Sequence, residues 1–274
     1  MALPMDDDKR LNMDEILCLQ LMGYKPHEIL RANLDYFDRL YDERQAEMDR
    51  LLDKADAILT RQEDAGVKTL IHYDVRFPKQ FYAIGDDCPP LIHLLGNLDL
   101  LNRDNYTAII GARNCDKRGF DVAYRLGVEY AKHGDVIVSG LALGCDAAAH
   151  QGCLAARGET IAIVGSGLDI THPKENEFLQ KRILQNGGLL ISEQPFGIKA
   201  NPTRLVARNR LQAAMSQKVI VAQCPEHNGT MHTVRFAQKY GKEIFAATYP
   251  LYNETNSGNK LLLDQQIAKP IKFK

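Results

Sequence analysis

The sequence predicts an α/β protein, a doubly wound and mostly parallel Rossmann-like sheet behind a helical amino-terminal region. Three observations predict it. Seven short apolar runs rich in β-branched residues follow one another from about residue 66: KTLIHY, YTAIIG, DVIVSG, TIAIVG, GLLISE, KVIVAQ and KEIFAAT. Such runs suit strands covered on both faces, as in a parallel sheet. Between them lie stretches with helical spacing, such as GFDVAYRLGVEYAKHG, where Val122, Leu126 and Tyr130 face one way, and TMHTVRFAQKYGK. Strand and helix alternate every ~25–30 residues, the rhythm of right-handed βαβ units.

Residues 1–65 have a different texture. LNMDEILCLQLMGY and the stretch from Pro26 to Ala65 place apolar residues at helical intervals: Leu34, Phe37, Leu40 and Tyr41, then Met48, Leu51, Leu52, Ala55, Ile58 and Leu59. Charges fill the other face, giving amphipathic helices. The Rossmann-like domain is expected over 66–274, with the stretch from Asp86 to Asn105, which carries Pro89 and Pro90, as a linker into the sheet.

The bulk numbers exclude several classes. The 274 residues hold 34 basic and 35 acidic side chains, a net charge of −1. The whole surface therefore does not attract polyanions, and any nucleic-acid site is local. No run approaches the ~18 apolar residues of a membrane span. The start, MALPMDDDKR, lacks the basic-then-apolar order of a secretion signal. Six cysteines without a CxxC pair read as reduced core thiols. A cytoplasmic protein is expected.

In doubly wound sheets ligands bind beyond the carboxyl ends of the strands, so the residues after each run carry the chemistry. These are GARNCDKRG (111–119), SGLALGCD (139–146), GSGLDITHPKEN (165–176), SEQPFG (192–197) and CPEHNGTMHT (224–233). Glycine loops leading into helices let backbone N–H groups approach an anion. Five in order point to a phosphate-bearing ligand. GSGLDI lacks the third small residue of a dinucleotide fingerprint, and there is no Walker P-loop. Cys224, His227 and His232 lack a fourth ligand at zinc spacing, and neither Ser139 nor Ser192 sits in a GxSxG elbow. No metal or cofactor is expected. Asp146 and His150 share a helix face, and read as a helix-start cap and a local hydrogen bond rather than an acid–base couple. In ARNRLQAAMS, Arg208 and Arg210 flank Asn209. Their guanidiniums suit phosphate oxygens, or pair with Glu193 or Asp169 to hold loops together.

Taken in order, IIGARNCDKRG, SGLALGCDAAAH, IAIVGSGLD, HPKEN, SEQPFG, RNRLQAAMS and NSGNKLLLDQ resemble the DNA-processing protein A (DprA/Smf) family, over roughly 66–266. IHYDVRFPKQFYAIGDDCPPLIHLLGNLDLL looks like that family's lead-in. The resemblance implies a single-stranded DNA-binding protein that is not an enzyme, protects incoming DNA in natural transformation, loads the recombinase RecA, and dimerises. Carried over residue by residue, it implies a DNA- or phosphate-binding set of Arg113, Gly140, Gly144, Gly165, Gly167, Lys174, Arg208, Asn209 and Arg210. Ser139, Asp146, Asn176 and Arg118 are expected in support. The arginines and Lys174 would take phosphates while the glycine loops offer backbone donors.

Three features depart from the family pattern. Val206–Ala207 stand where Phe-Pro is common. Gln223 and Asn228–Gly229–Thr230 replace an acid and a Ser-Gly-Ser-like turn. The sequence ends at KPIKFK, where many members continue into a winged-helix domain, so none is expected here. Two other functions stay open: a nucleotide sensor, and a nucleoside monophosphate hydrolase of the lysine-decarboxylase-like class, of whose glycine motif HNGT is a partial echo.

Overall fold

The computed structural model describes residues 9–271. The acidic start weighed above as a signal, MALPMDDD, and the last three residues of KPIKFK lie outside them. Three helices open the chain: α1 (Met13–Leu21), α2 (Pro26–Ile29) and α3 (Leu34–Asp64), the last broken at Arg44, where φ is −133°. Asn12 starts α1 by accepting from the Glu15 N–H, while the Glu15 carboxylate accepts from the Asn12 N–H, a reciprocal capping box. Ile16, Leu19, Phe37, Leu40 and Met48 form a small core of these helices. Farther along α3, Ala55 and Ile58 join the core under the sheet.

Then come β1 (Lys68–Ile71), α4 (Lys79–Tyr82) and β2 (Leu91–Gly96), followed by the alternating body of the fold. That body is β3 (Tyr106–Ile110), α5 (Lys117–Lys132), β4 (Val136–Ser139), α6 (Cys145–Ala155), β5 (Thr160–Val164), α7 (Glu177–Gln185), β6 (Leu189–Ser192), α8 (Pro202–Met215), β7 (Lys218–Val221), α9 (Thr230–Lys239), β8 (Glu243–Ala247), α10 (Ser257–Asp264) and β9 (Lys269–Ile271). Among the described residues one nine-stranded sheet runs β1-β2-β6-β5-β4-β3-β7-β8-β9. From β6 to β9 every neighbour is parallel, and β1 and β2 add an antiparallel edge.

Alternate residues of each strand enter opposite cores, so both faces need apolar side chains. Ala108, Ile110, Val136 and Val138 pack with Leu211, Ala214 and Val234 from α8 and α9. Ile109, Ile137 and Ile220 pack with Val122, Leu126 and Ala148 from α5 and α6. All six cysteines are free, five of them buried and Cys115 half-buried. No helix among the described residues is long and apolar enough to cross a membrane.

All seven apolar runs contain strands, with two corrections. KTLIHY contributes the antiparallel edge strand β1, and the expected linker from Asp86 to Asn105 contains β2. Pro89–Pro90 and a histidine inside LIHLLG hide that strand. His93 is buried there with Nδ1 within 2.9 Å of Gln62 Nε2 and 3.0 Å of Thr69 Oγ1, and burial pushes its pKa down to about 3. It is a neutral core residue. The β9 strand was not expected either, because KPI places a proline on a short edge, the one sheet position that tolerates it.

The chain runs outward from β3 through β4, β5 and β6, then returns to the other side of β3 as β7. This reversal opens a crevice between the carboxyl ends of β3 and β7. Gln223, just past β7, clamps its two lips. Its carbonyl accepts from Ala112 N at 2.7 Å, its Oε1 accepts from Asp116 N at 3.0 Å, and its Nε2 donates to Asp116 Oδ1 at 3.0 Å. An ionised acid at 223 could not make that donation, so the glutamine here has its own structural use. Burial raises the pKa of Asp116, but donors from Gly119 N, Gln223 and Thr255 more than offset it and hold the carboxyl below its ordinary value. A carboxyl with a depressed folded pKa contributes stability above its unfolded value of ~3.9, and that stability is lost as pH falls through the folded pKa. The urea midpoint is therefore expected to drop below about pH 4, with a shallower acid limb in Asp116→Asn. Identical limbs would contradict this.

Candidate nucleic-acid interface

The crevice encloses about 490 Å³. Its walls come from the loop after β3 (Gly111 to Asn114), the start of α6 (Asp146), one face of α8 (Leu205, Arg208, Asn209, Gln212) and the start of α9 (Asn228, Gly229, Thr230, Thr233). A second cavity of about 140 Å³ adjoins it, lined by Gly140, Leu143, His172 and Pro173. Arg113, Ala142, Leu205 and Arg208 line both.

Arg208 is the central group. It is only 5% exposed, and its Nη1 donates to the Ile163 carbonyl at 2.6 Å. With its amide turned to meet these donors, Gln212 Oε1 accepts from Arg208 Nη1 at 2.5 Å and Gly140 N at 3.0 Å. Nε of Arg208 is sealed from solvent and has no hydrogen-bond partner among the described residues. Burial pushes the guanidinium down to about 10, the Asp146 carboxylate opposes this, and Arg113 adds to it. It remains a cation at neutral pH. Burial also raises the pKa of Asp146, an effect that Arg208 opposes.

Arg113 is exposed and makes no ion pair among the described residues. Lys174 is also exposed and directly follows the lining pair His172–Pro173. Asn209 lines the larger crevice. Arg210, also expected as a phosphate ligand, lines neither of these two cavities. Its Nη1 and Nη2 each donate to a Glu193 carboxylate oxygen at 2.5 Å, and Nε donates to the Asp87 carbonyl at 2.8 Å. Burial lowers its pKa, but Glu193 more than compensates and leaves it above the ordinary value. This is the loop-holding alternative, realised by one of the two arginines.

Two of the four loop glycines have their N–H groups engaged within the chain. Gly140 N donates to Asp146 Oδ2 at 3.1 Å, and Gly167 N to the Ile198 carbonyl at 2.8 Å, so neither N–H is free for an anion. These residues are small because something passes close by. A Cβ on Gly140 would overlap the Arg208 guanidinium, and one on Gly144, at φ +72°, would lie 2.5 Å from the Arg113 carbonyl oxygen. One on Gly167 would strike the Pro195 carbonyl, and one on Gly165 would lie 3.1 Å from Leu205. Neither Gly165 nor Gly167 lines either of these two cavities.

The supporting residues brace this floor. Ser139 Oγ donates to the Ile109 carbonyl at 2.7 Å, and Asn176 Nδ2 to the Leu141 carbonyl at 2.9 Å, tying the loops after β4 and β5 together. Asp146 is no N-cap, since Gly144 holds that position; it bonds back to Gly140 instead. His150 pairs with Thr160 Oγ1 at 2.7 Å, and burial lowers its pKa to about 3. Arg118 lies 5.7 Å from the Tyr249 ring centroid and lines neither cavity.

Sequence reasoning missed two residues. Gln212 sits one turn beyond Arg208, the polar member of a buried run Leu211–Met215. Phe178, near the start of α7, is 72% exposed, with the Arg182 guanidinium 6.0 Å from its ring centroid. The signal for it was an aromatic residue in KENEFLQKR, among charged neighbours.

The family model for DNA recombination-mediator protein A matches residues 68–273. The chain belongs to this family. Protein Smf of Synechocystis is 34% identical over 176 residues, which are 63% of this chain and 44% of that protein. The chain thus spans less than half of that relative. Among solved structures, the DNA processing protein A of Streptococcus pneumoniae superposes with a TM-score of 0.80 at 30% identity, covering 96% of this chain and 95% of the other. That of Helicobacter pylori, described for its single-stranded DNA binding mode, gives a TM-score of 0.66 at 35% identity over 74% of this chain and 90% of the other. The amino-terminal helices thus fall outside the family match, while the first of these superpositions extends over nearly the whole chain.

Proposed function

We propose that this family member binds single-stranded DNA across the small cavity and the loops around it, and processes DNA in transformation as a non-enzymatic protein. The observation that carries this reading is the buried, charged Arg208, which lines both cavities, beside the exposed Arg113, which makes no ion pair among the described residues. A guanidinium kept charged in a low-dielectric floor attracts phosphate more strongly than one in water. Lys174 supplies a third cation, and Phe178 a flat apolar face on which a base can stack. The wider assignments belong to the same reading: a helical region over 1–65, a Rossmann-like domain over 66–274, a cytoplasmic setting, a homodimer, and transfer of the strand to the recombinase RecA.

Three phosphate contacts on a single strand give a log–log salt slope of about −2. Arg113→Ala is expected to weaken binding by about tenfold and make that slope shallower by ~0.7. Phe178→Ala is expected to cost fivefold or more, from ~1–3 kcal/mol of stacking, with little change in slope. Fluorescence anisotropy with a labelled oligonucleotide at several salt concentrations measures all three. An affinity indifferent to salt would sink the proposal.

A further inference from the structure

We propose that Cys115 and Cys145 form a redox modification site, at which a peroxide joins the two thiols in a reversible disulfide within one chain. This goes beyond strand binding and does not rest on it.

The fold brings the two thiols together at the starts of two helices. Cys115 directly precedes Asp116, the N-cap of α5, and Cys145 is the first residue of α6. The positive end of a helix favours a thiolate. The loop that begins at Gly111 passes directly over Cys145. A Cβ on Gly111 would fall 2.5 Å from Cys145 Sγ, and Cys145 N donates to the Ala112 carbonyl at 3.2 Å. Cys115 packs against the apolar cluster that contains Cys145, and the two thiols hydrogen-bond to each other.

The two sulfurs have different tasks. Cys115 is half-buried, whereas the other five cysteines are buried, so an oxidant in solution meets Cys115 first. Its hydrogen bond with Cys145 draws the Cys115 thiol below its ordinary pKa, against the opposing effect of burial. The same bond, joined by burial, pushes Cys145 well up. Cys115 is therefore the attacking thiolate, and Cys145 the neighbouring thiol that follows. The other four lack such a partner: burial pushes Cys18 up to about 11, and Cys88, Cys153 and Cys224 up to about 12.

With hydrogen peroxide as oxidant, the Cys115 sulfur attacks one peroxide oxygen and the O–O bond breaks. The departing hydroxide takes up a proton and leaves as water, and Cys115 becomes a sulfenic acid. The Cys145 sulfur then attacks the Cys115 sulfur, the S–O bond breaks, and the second hydroxide leaves as water with the Cys145 proton. Two thiols lose two electrons and two protons, and one peroxide becomes two waters. The new bond, about 2.05 Å long, fastens the loop after β3 to the start of α6.

The full chain is treated with hydrogen peroxide, its remaining thiols are blocked with iodoacetamide, and tryptic peptides are read by mass spectrometry. The expected product joins the peptide carrying Cys115 to the one carrying Cys145, lighter by two hydrogens than the separate pair and lost on treatment with dithiothreitol. Trypsin leaves Cys145 and Cys153 in one peptide, so fragment ions between them assign the linked sulfur in the unaltered chain. The link should persist in Cys153→Ala and vanish in Cys145→Ala, where dimedone should label an unresolved Cys115 sulfenic acid.

Absence of the linked peptide in the unaltered chain overturns the proposal, however the variants fold. So does a link assigned to Cys153, a link that survives Cys145→Ala, or one that joins two chains on a non-reducing gel. Oxidation of Cys115 no faster than that of the buried thiols overturns its role as the attacking sulfur.

Discussion

Arg210→Ala is expected to destabilise the fold by about 3–5 kcal/mol, the usual consequence of removing one partner from a buried ion pair. Glu193 would be left as an uncompensated carboxylate only 12% exposed, and the Asp87 carbonyl would lose its donor. The double variant Arg210→Met/Glu193→Leu removes both charges and should recover much of the loss, because the desolvation penalty disappears with them. Urea denaturation of the two variants measures the difference. The same pair decides what Arg210 does: the double variant should bind single-stranded DNA within about twofold of the unaltered chain. A stable double variant that no longer bound would restore Arg210 as a DNA ligand.

The second large effect is expected from one methyl group. In Gly140→Ala the new Cβ would fall 2.5 Å from Arg208 Cζ and closer still to Nη1. Gly140 does not have a positive φ, so the conflict is with packing rather than backbone conformation. Arg208 must leave the Ile163 carbonyl and Gln212 to make room. Overpacking of this kind costs about 1–3 kcal/mol. The larger effect is on binding: Gly140→Ala should approach the loss seen in Arg208→Ala, about tenfold or more, since both remove the same guanidinium. Thermal melts and anisotropy titrations of the two variants make the comparison. Normal DNA affinity in Gly140→Ala would show that the position of Arg208 is immaterial to the strand.

The body of the sheet was legible because burial on both faces leaves continuous apolar runs, such as VIVS and TIAIV. Strand β2 was less legible because His93 interrupts its run, and its partners Gln62 and Thr69 become visible only when α3 and β1 meet it. The site was legible as a set of loops but not as a set of roles. Arg208 and Arg210 are two apart on α8, so they project about 200° from each other and meet different surroundings. The spacing carries that information, but which arginine faces the crevice depends on where Glu193 lies. Gly140 shows the same limit. Its loop announces a close approach, and only the folded chain shows that the approaching group is an arginine rather than an anion.

The antiparallel edge has a consequence for how the chain is made. β1 and β2 can pair as soon as they leave the ribosome, but β2's other neighbour is β6. Until β3, β4 and β5 have been synthesised and laid down, one row of β2 backbone donors and acceptors has no partner, and Ile92 and Leu94 have no complete core to enter. Pairings between distant segments are slow to close. An open apolar strand edge is also a template for another chain. The earliest-made part of the sheet thus stays open until β6 has been made, which exposes this protein to self-association during synthesis rather than after it.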